Sequence, residues 1–158
     1  MTLQKDTQLP LSFKTNAKRD VRTQFAALCF RIAKDRPQVL LVTSRGTRRW
    51  IVPKGWPIEG KTPSASAAIE AYEEAGVTGK TYDTCLGVFS YNKSVANGEA
   101  LPILAMVFPL KVRHMDRAYP EANERRRKWF SLKKAAARIS EPELRQIILT
   151  FDPRRLKH

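Results

Sequence analysis

Residues 49–79 read RWIVPKGWPIEGKTPSASAAIEAYEEAGVTG, and the run Glu70-Ala71-Tyr72-Glu73-Glu74-Ala75-Gly76-Val77 within them decides how the rest of the chain is understood. Thr62 followed by Pro63 predicts a helix N-cap with proline at the first helical position. Gly76 predicts the residue just past the helix end. Between them, at about 100° per residue, Ala65, Ala68, Ile69 and Tyr72 form one apolar stripe, expected to pack. Glu70, Glu73 and Glu74 fall on an arc centred roughly 140° away.

That acidic arc is electrostatically costly. Glu70 with Glu74 and Glu70 with Glu73 are like-charge neighbours on a helix, each pair costing on the order of 0.2–0.5 kcal/mol. Glu73 and Glu74 also lie at the negative end of the helix dipole. No Lys or Arg stands three or four positions away on the helix. The whole chain nevertheless holds 29 Lys and Arg against 15 Asp and Glu, a net charge of +14. Clustered carboxylate oxygens suit Mg²⁺ or Mn²⁺, and a divalent cation would supply the missing compensation. A solvated acidic patch is the plain alternative.

The flanks resemble the Nudix box: Gly, five residues, Glu, seven residues, Arg-Glu, an apolar residue, any residue, Glu-Glu, any residue, Gly and an aliphatic. Gly55, Glu70, Ala71, Glu73, Glu74, Gly76 and Val77 match, whereas Lys61 stands in place of a Glu and Ile69 in place of the Arg. The likeness spans about residues 20–151. Ala27–Arg31, Val39–Arg45, Arg49–Pro53, Tyr72–Val77, Leu86–Phe89 and Arg127–Phe130 further resemble the diphosphoinositol polyphosphate and diadenosine polyphosphate phosphohydrolase branch.

The resemblance implies an α/β/α sandwich with a mixed sheet between helices, and metal-dependent hydrolysis of a phosphoanhydride bond. It implies Glu70, Glu73 and Glu74 as metal ligands and catalytic residues, with Mg²⁺ or Mn²⁺ as cofactor. Gly55 would allow close backbone approach. In the family the box arginine holds a box carboxylate in place, which Ile69 cannot do. Either another cation re-supports the site, the outcome expected because the carboxylate trio is complete, or the domain is a catalytically weak or silent binder of nucleotides or nucleic acid. The general base would be one of the three glutamates or a loop carboxylate, Glu121 or Glu124. Arg45, Arg49, Lys54 and Arg127, within a wider basic group that includes Arg48, Arg125, Arg126 and Lys128, are the residues expected to bind an anionic substrate.

A length of 158 residues suits one domain, expected over residues 21–158 behind a polar arm at 1–20. No apolar run approaches the roughly 18 residues that cross a bilayer, and the first residues lack the apolar core of a signal peptide. Cys29 and Cys85 lie in strand-like segments and read as small buried residues of a cytoplasmic protein. The positive charge predicts attraction to polyanions. Small-molecule polyphosphate is the expected partner; nucleic acid, including an RNA 5′ end, is the alternative, although no stacking strip or nucleic-acid motif stands out.

Elsewhere the pattern predicts strands over 21–32, 39–43, 50–53, 81–92, 102–112 and 128–130. A hairpin turn is expected at Asn97-Gly98, and an unpatterned functional or mobile segment over 114–125. Ser131 is expected to cap a helix over 132–139. Ser140, in a capping box with Glu143, is expected to open another that packs Leu144, Ile147, Ile148 and Phe151.

Overall fold

The computed structural model describes residues 22–95 and 97–157; the expected arm at 1–20 lies outside them. In chain order the elements are β1 (Arg22–Ala33), β2 (Arg36–Thr43), β3 (Trp50–Ile51), β4 (Lys54–Gly55), α1 (Pro63–Ala75), β5 (Val77–Thr81), β6 (Gly87–Ser94), β7 (Ala100–Met115), β8 (Arg127–Ser131), α2 (Leu132–Arg138) and α3 (Pro142–Leu149), followed by one 3₁₀ turn, Pro153–Arg155. They build one mixed sheet with helices on both faces, the architecture expected from the sequence.

The sheet runs β3-β2-β1-β7-β5, with β4 on β1, β6 on β7 and β8 on β2. Strands β1 and β7 pair in parallel from Arg22 opposite Ile103 to Phe30 opposite Lys111. Lys34 and Asp35, both at positive φ, make the tight turn from β1 into β2. The poor alternation of β1 has its explanation in two cores. Ala26, Leu28 and Phe30 face a layer with Ala135, Leu144, Ile148 and Phe151. Ala27 and Cys29 face the other layer with Ala67, Ala71 and Ala75.

Helix α1 begins and ends as its sequence demands. Thr62 Oγ1 accepts from the Ala65 amide, Pro63 occupies the first turn, and Gly76 adopts φ 69° and ψ 28°. Its packed face, however, is not the expected Ala65, Ala68, Ile69 and Tyr72 stripe. Ala67, Ala71 and Ala75 are buried instead, flanked by Ser64, Ser66 and Glu74. Small side chains let the helix lie close on the sheet, and the buried hydroxyls have partners. Ser64 Oγ donates to Asp83 Oδ1 at 2.6 Å, and Ser66 Oγ accepts from the Ile58 amide at 3.1 Å. The helix therefore turns its acidic arc partly toward the protein.

Three further expectations change. The strand foreseen over 81–92 is two strands, β5 and β6, because Tyr82 leaves the sheet to join the core against Phe30. Cys85 is exposed rather than buried in a strand; it and Cys29 are both free thiols. Helix α3 has Glu141, not Ser140, at its N-cap, because Pro142 takes the first helical position. Ser131 caps α2 as expected, accepting from the Lys134 amide.

The segment after β7 is packed onto the C-terminal end of α1. The Asp116 amide donates to Gly76 O at 2.8 Å, and the Glu121 amide to Glu73 O at 3.0 Å. These bonds satisfy carbonyls that a helix end leaves open. The Tyr119 ring covers Gly76 so closely that a Cβ there would lie 2.3 Å from Tyr119 Cδ1. Gly76→Ala therefore meets both a left-handed backbone and an occupied space. The backbone penalty alone is about 1–2 kcal/mol, or roughly 2–8 °C of melting temperature for a chain of this size. Thermal unfolding of Gly76→Ala should show at least that loss, with Tyr119→Ala in the same background recovering part of it.

Candidate active site

Gly55 in β4 brings its backbone against Glu70: a Cβ at that position would lie 2.3 Å from Glu70 Cδ. Only glycine permits this approach. Glu70 is half-buried and Glu74 is buried, and the two carboxyl groups, one helical turn apart, lie within hydrogen-bonding reach of each other. Glu73 lies on the exposed side of α1. The structure thus brings together two of the three glutamates and turns the third to solvent. Glu121, delivered by the loop that docks on α1, adds its negative charge to both Glu70 and Glu74. Glu124 instead accepts from Arg45 Nη1 at 2.9 Å.

Burial pushes the Glu70 carboxyl up to about 8, with the charges of Glu74, Glu73 and Glu121 adding to it. Burial also raises Glu74, against the opposing pull of Arg125 and Lys54. Lys54 is lowered by the same desolvation, partly offset by Glu74. So the charge compensation absent from the helix itself arrives from elsewhere in the chain. Arg125 Nη2 lies 3.7 Å from Glu74 Oε2. Lys61 is exposed in the loop before α1, and Ile69 is half-buried.

Beside Glu74 opens a cavity of about 490 Å³. Among the described residues, Arg45, Arg49, Lys54, Lys93 and Arg125 line it as cations, and Glu74 is its one carboxylate. The Lys54 ammonium lies over the Tyr91 ring, 4.8 Å from its centroid. Tyr91 Oη in turn donates to Gln24 Oε1 at 2.6 Å. Arg49 Nη1 donates to Ser140 Oγ at 2.9 Å and to Glu141 Oε2 at 3.3 Å, which fixes its guanidinium at the rim.

Of the residues expected to bind substrate, Arg45, Arg49 and Lys54 line this cavity. Gly55 faces Glu70 instead. Arg127 lies away from the cavity: its Nη1 donates to Ala75 O at 2.6 Å and its guanidinium sits 4.8 Å from the Tyr119 ring centroid, clasping the docked loop to α1. Lys93, Tyr91 and Gln24 were not anticipated. The hairpin signal at Asn97-Gly98 shows that β6 and β7 pair, but not that Lys93 ends beside Lys54.

Among the described residues no group of three or more His, Cys, Asp or Glu stands ready-gathered to hold a metal ion. A hard divalent cation nevertheless suits the donors that are present. Glu74 Oε1 is buried without a hydrogen-bond partner, beside a second carboxyl that burial keeps protonated. A buried acceptor left unsatisfied is expensive, and a cation bound there would satisfy it while displacing the proton held by Glu70.

A family model, the NUDIX domain, matches residues 22–151. The chain is 32% identical over 128 residues to diphosphoinositol polyphosphate phosphohydrolase 3-alpha of Mus musculus, covering 80% of this chain and 74% of that protein. It is likewise 32% identical over 126 residues to the Homo sapiens 3-alpha protein, with the same coverage. Among solved structures, the C. elegans Ap4A hydrolase matches with a TM-score of 0.57 at 18% identity, over 82% of this chain and 94% of that one. The NUDIX domain of Shewanella oneidensis NrtR, complexed with ADP ribose, gives 0.60 at 17% identity, over 85% and 89%. At these identities the structures attest the fold.

The raised carboxyl has a consequence for stability. Glu70 binds its proton more tightly folded, with a pKa of about 8, than at the ordinary 4.5. Its contribution is therefore complete below about pH 4.5, lost progressively as the pH rises toward 8, and level above that. With a chelator present, the melting temperature of the native chain minus that of Glu70→Gln should fall across this window. Saturating Mn²⁺ should reverse the decline.

Proposed function

Because the chain belongs to the Nudix family, whose hydrolases split phosphoanhydride bonds, we propose that it is a divalent-metal-dependent pyrophosphohydrolase acting on a diphosphoinositol polyphosphate or a diadenosine polyphosphate. The observation that carries this reading is a cavity ringed by Arg45, Arg49, Lys54 and Lys93 that opens onto the buried carboxylate of Glu74, one helical turn from Glu70. Several phosphates in a small volume need several cations, and guanidinium groups bind them in fixed geometry. The relatives named for such substrates are of similar length, and the chain covers most of them.

Glu70 and Glu74 would hold the metal, Mg²⁺ or Mn²⁺, joined by Glu73 or Glu121. When bound, such an ion neutralises charge on the transferring phosphoryl group and lowers the pKa of water. The protein's part is placement. Arg49 and Arg45 engage phosphates at the rim, and Lys54, steadied on the Tyr91 face, engages one next to Glu74. Water attacks one phosphorus, the bridging P–O bond breaks with its electron pair leaving on the departing phosphate, and the water proton passes to a carboxylate. Glu121 is the loop carboxylate favoured for this step, because its charge acts on both Glu70 and Glu74 while Arg125 holds it, whereas Glu124 pairs with Arg45 in solvent.

One observation favours nucleic acid as a second reading. Arg126 lies 5.8 Å from the Trp50 ring centroid, and Lys128 and Arg138 lie 5.4 Å and 5.5 Å from that of Phe130, so cations continue beyond the cavity. An RNA carrying a 5′-triphosphate belongs on the same panel as the small molecules. Salt-steep binding without a metal requirement would identify this reading.

Incubation with Mn²⁺ or Mg²⁺ and this panel should release phosphate or nucleotide from a polyphosphate. Glu74→Gln, which removes a proposed metal ligand, should lower kcat by more than the roughly 10–100-fold lost with an outer-shell partner of a metal ligand. Arg49→Met should mainly raise KM. Absence of turnover on every compound with either metal would refute the assignment.

A further inference from the structure

Ile69 occupies the helical position from which the family resemblance leads one to expect a supporting arginine, and an aliphatic side chain cannot hold a carboxylate. The carboxylates are held all the same. The Arg125 side chain is only 7% exposed, and its guanidinium reaches three elements at once. Nε donates to Glu121 Oε1 at 2.7 Å, Nη1 donates to the carbonyl of Thr43 at the end of β2 at 3.0 Å, and Nη2 faces Glu74 Oε2 at 3.7 Å. The main chain beside it is pinned in turn. The Thr43 amide donates to Arg126 O at 3.0 Å, and the Arg126 amide donates to Thr43 Oγ1 at 2.9 Å.

We propose that Arg125 is the positioning residue of this site, replacing from the loop just before β8 the support that α1 lacks, and that it holds Glu74 and Glu121 at a fixed separation with one Glu74 oxygen free for a cation. This rests on the metal-site reading given above. Three features separate the role from others open to an arginine here. Its donors point into the protein, toward a carbonyl and two carboxylates, so it is not placed chiefly to bind substrate although it borders the cavity. The 3.7 Å approach to Oε2 is longer than a hydrogen bond, which constrains Glu74 without saturating it, and Oε1 stays unpartnered. Its neighbour Arg127 is engaged with Ala75 O and Tyr119, and Arg45 with Glu124 in solvent, so neither of these does the same work.

Positioning and simple charge neutralisation predict opposite signs. A guanidinium acting only as a counter-ion competes with a metal ion, and its removal would tighten metal binding. A guanidinium that positions ligands aids the metal, and its removal weakens binding, by about 10–100-fold for supporting groups of this kind. Mn²⁺ titration followed by electron paramagnetic resonance or calorimetry on the full chain reads this directly, without any turnover. Arg125→Met should weaken Mn²⁺ binding at least about 10-fold and lower kcat similarly while leaving KM within a few-fold. Arg125→Lys, which keeps the charge but not the planar fork, should recover little of either. Methylguanidinium added to Arg125→Ala should restore part of both.

Where Arg125→Met fails to fold by circular dichroism, Arg125→Lys carries the same comparison. Mn²⁺ binding that is unchanged or tighter in these variants overturns the proposal, as does a rise in KM without a fall in kcat, or a wild-type chain that binds no Mn²⁺. A wild-type chain that binds Mn²⁺ but hydrolyses nothing on the panel refutes the proposed activity alone. The role of Arg125 is then decided by the titration.

Discussion

Helix α1 approaches the sheet along Ala67, Ala71 and Ala75, and the site depends on how close that approach is. Larger residues on this seam would lift the helix and carry Glu74 out toward water. With alanines there, Glu74 is drawn inside and Glu70 is pressed against the bare backbone of Gly55. Burial then does what a surface arrangement of the same residues would not. It raises the free energy of the ionised carboxylates, so that cations, protons or metal ions are needed to settle them. Packing and site chemistry are in this sense one constraint seen from two sides.

The rest of the molecule can be understood as supply to that buried negative charge. Lys54 comes from β4, Arg125 from the loop just before β8, and Glu121 from the same loop, held by bonds to Gly76 and Glu73. Arg127 and Tyr119 contribute by keeping that loop on the helix end. The surplus of basic residues has a local meaning as well as a global one. A few of them balance Glu74, and several line the cavity beside it.

How legible this was from sequence follows from the range of each interaction. Thr62, Pro63 and Gly76 act within a turn of where they stand, so both ends of α1 could be read directly. The stripe of α3 was readable because Leu144, Ile147, Ile148 and Phe151 recur at helical spacing, and Leu144, Ile148 and Phe151 are buried as that period demands. The packed face of α1 was not. Ala65 and Ala68 are chemically the same as Ala67 and Ala71, and the choice between them lies in the shape of a sheet assembled from remote strands. Arg125, Arg126 and Arg127 show the same limit more sharply. One bridges two carboxylates, one lies beside Trp50, and one caps α1, differences that depend on which elements they meet. The need for a cation to stand in for an arginine at Ile69 could be foreseen, but the sequence did not single out which cation.

The parallel pairing of β1 with β7 has a kinetic consequence. Two strands far apart in the chain, with Arg22 opposite Ile103, must find register before the sheet closes, and such non-local closure is among the slow events of folding. The loop bearing Glu121 leaves β7 directly, and Arg125 bonds the end of β2. Neither can reach its place until that register is set. The site is therefore completed only once the sheet is, so a partly folded molecule lacks the arrangement of Glu74, Glu121 and Arg125.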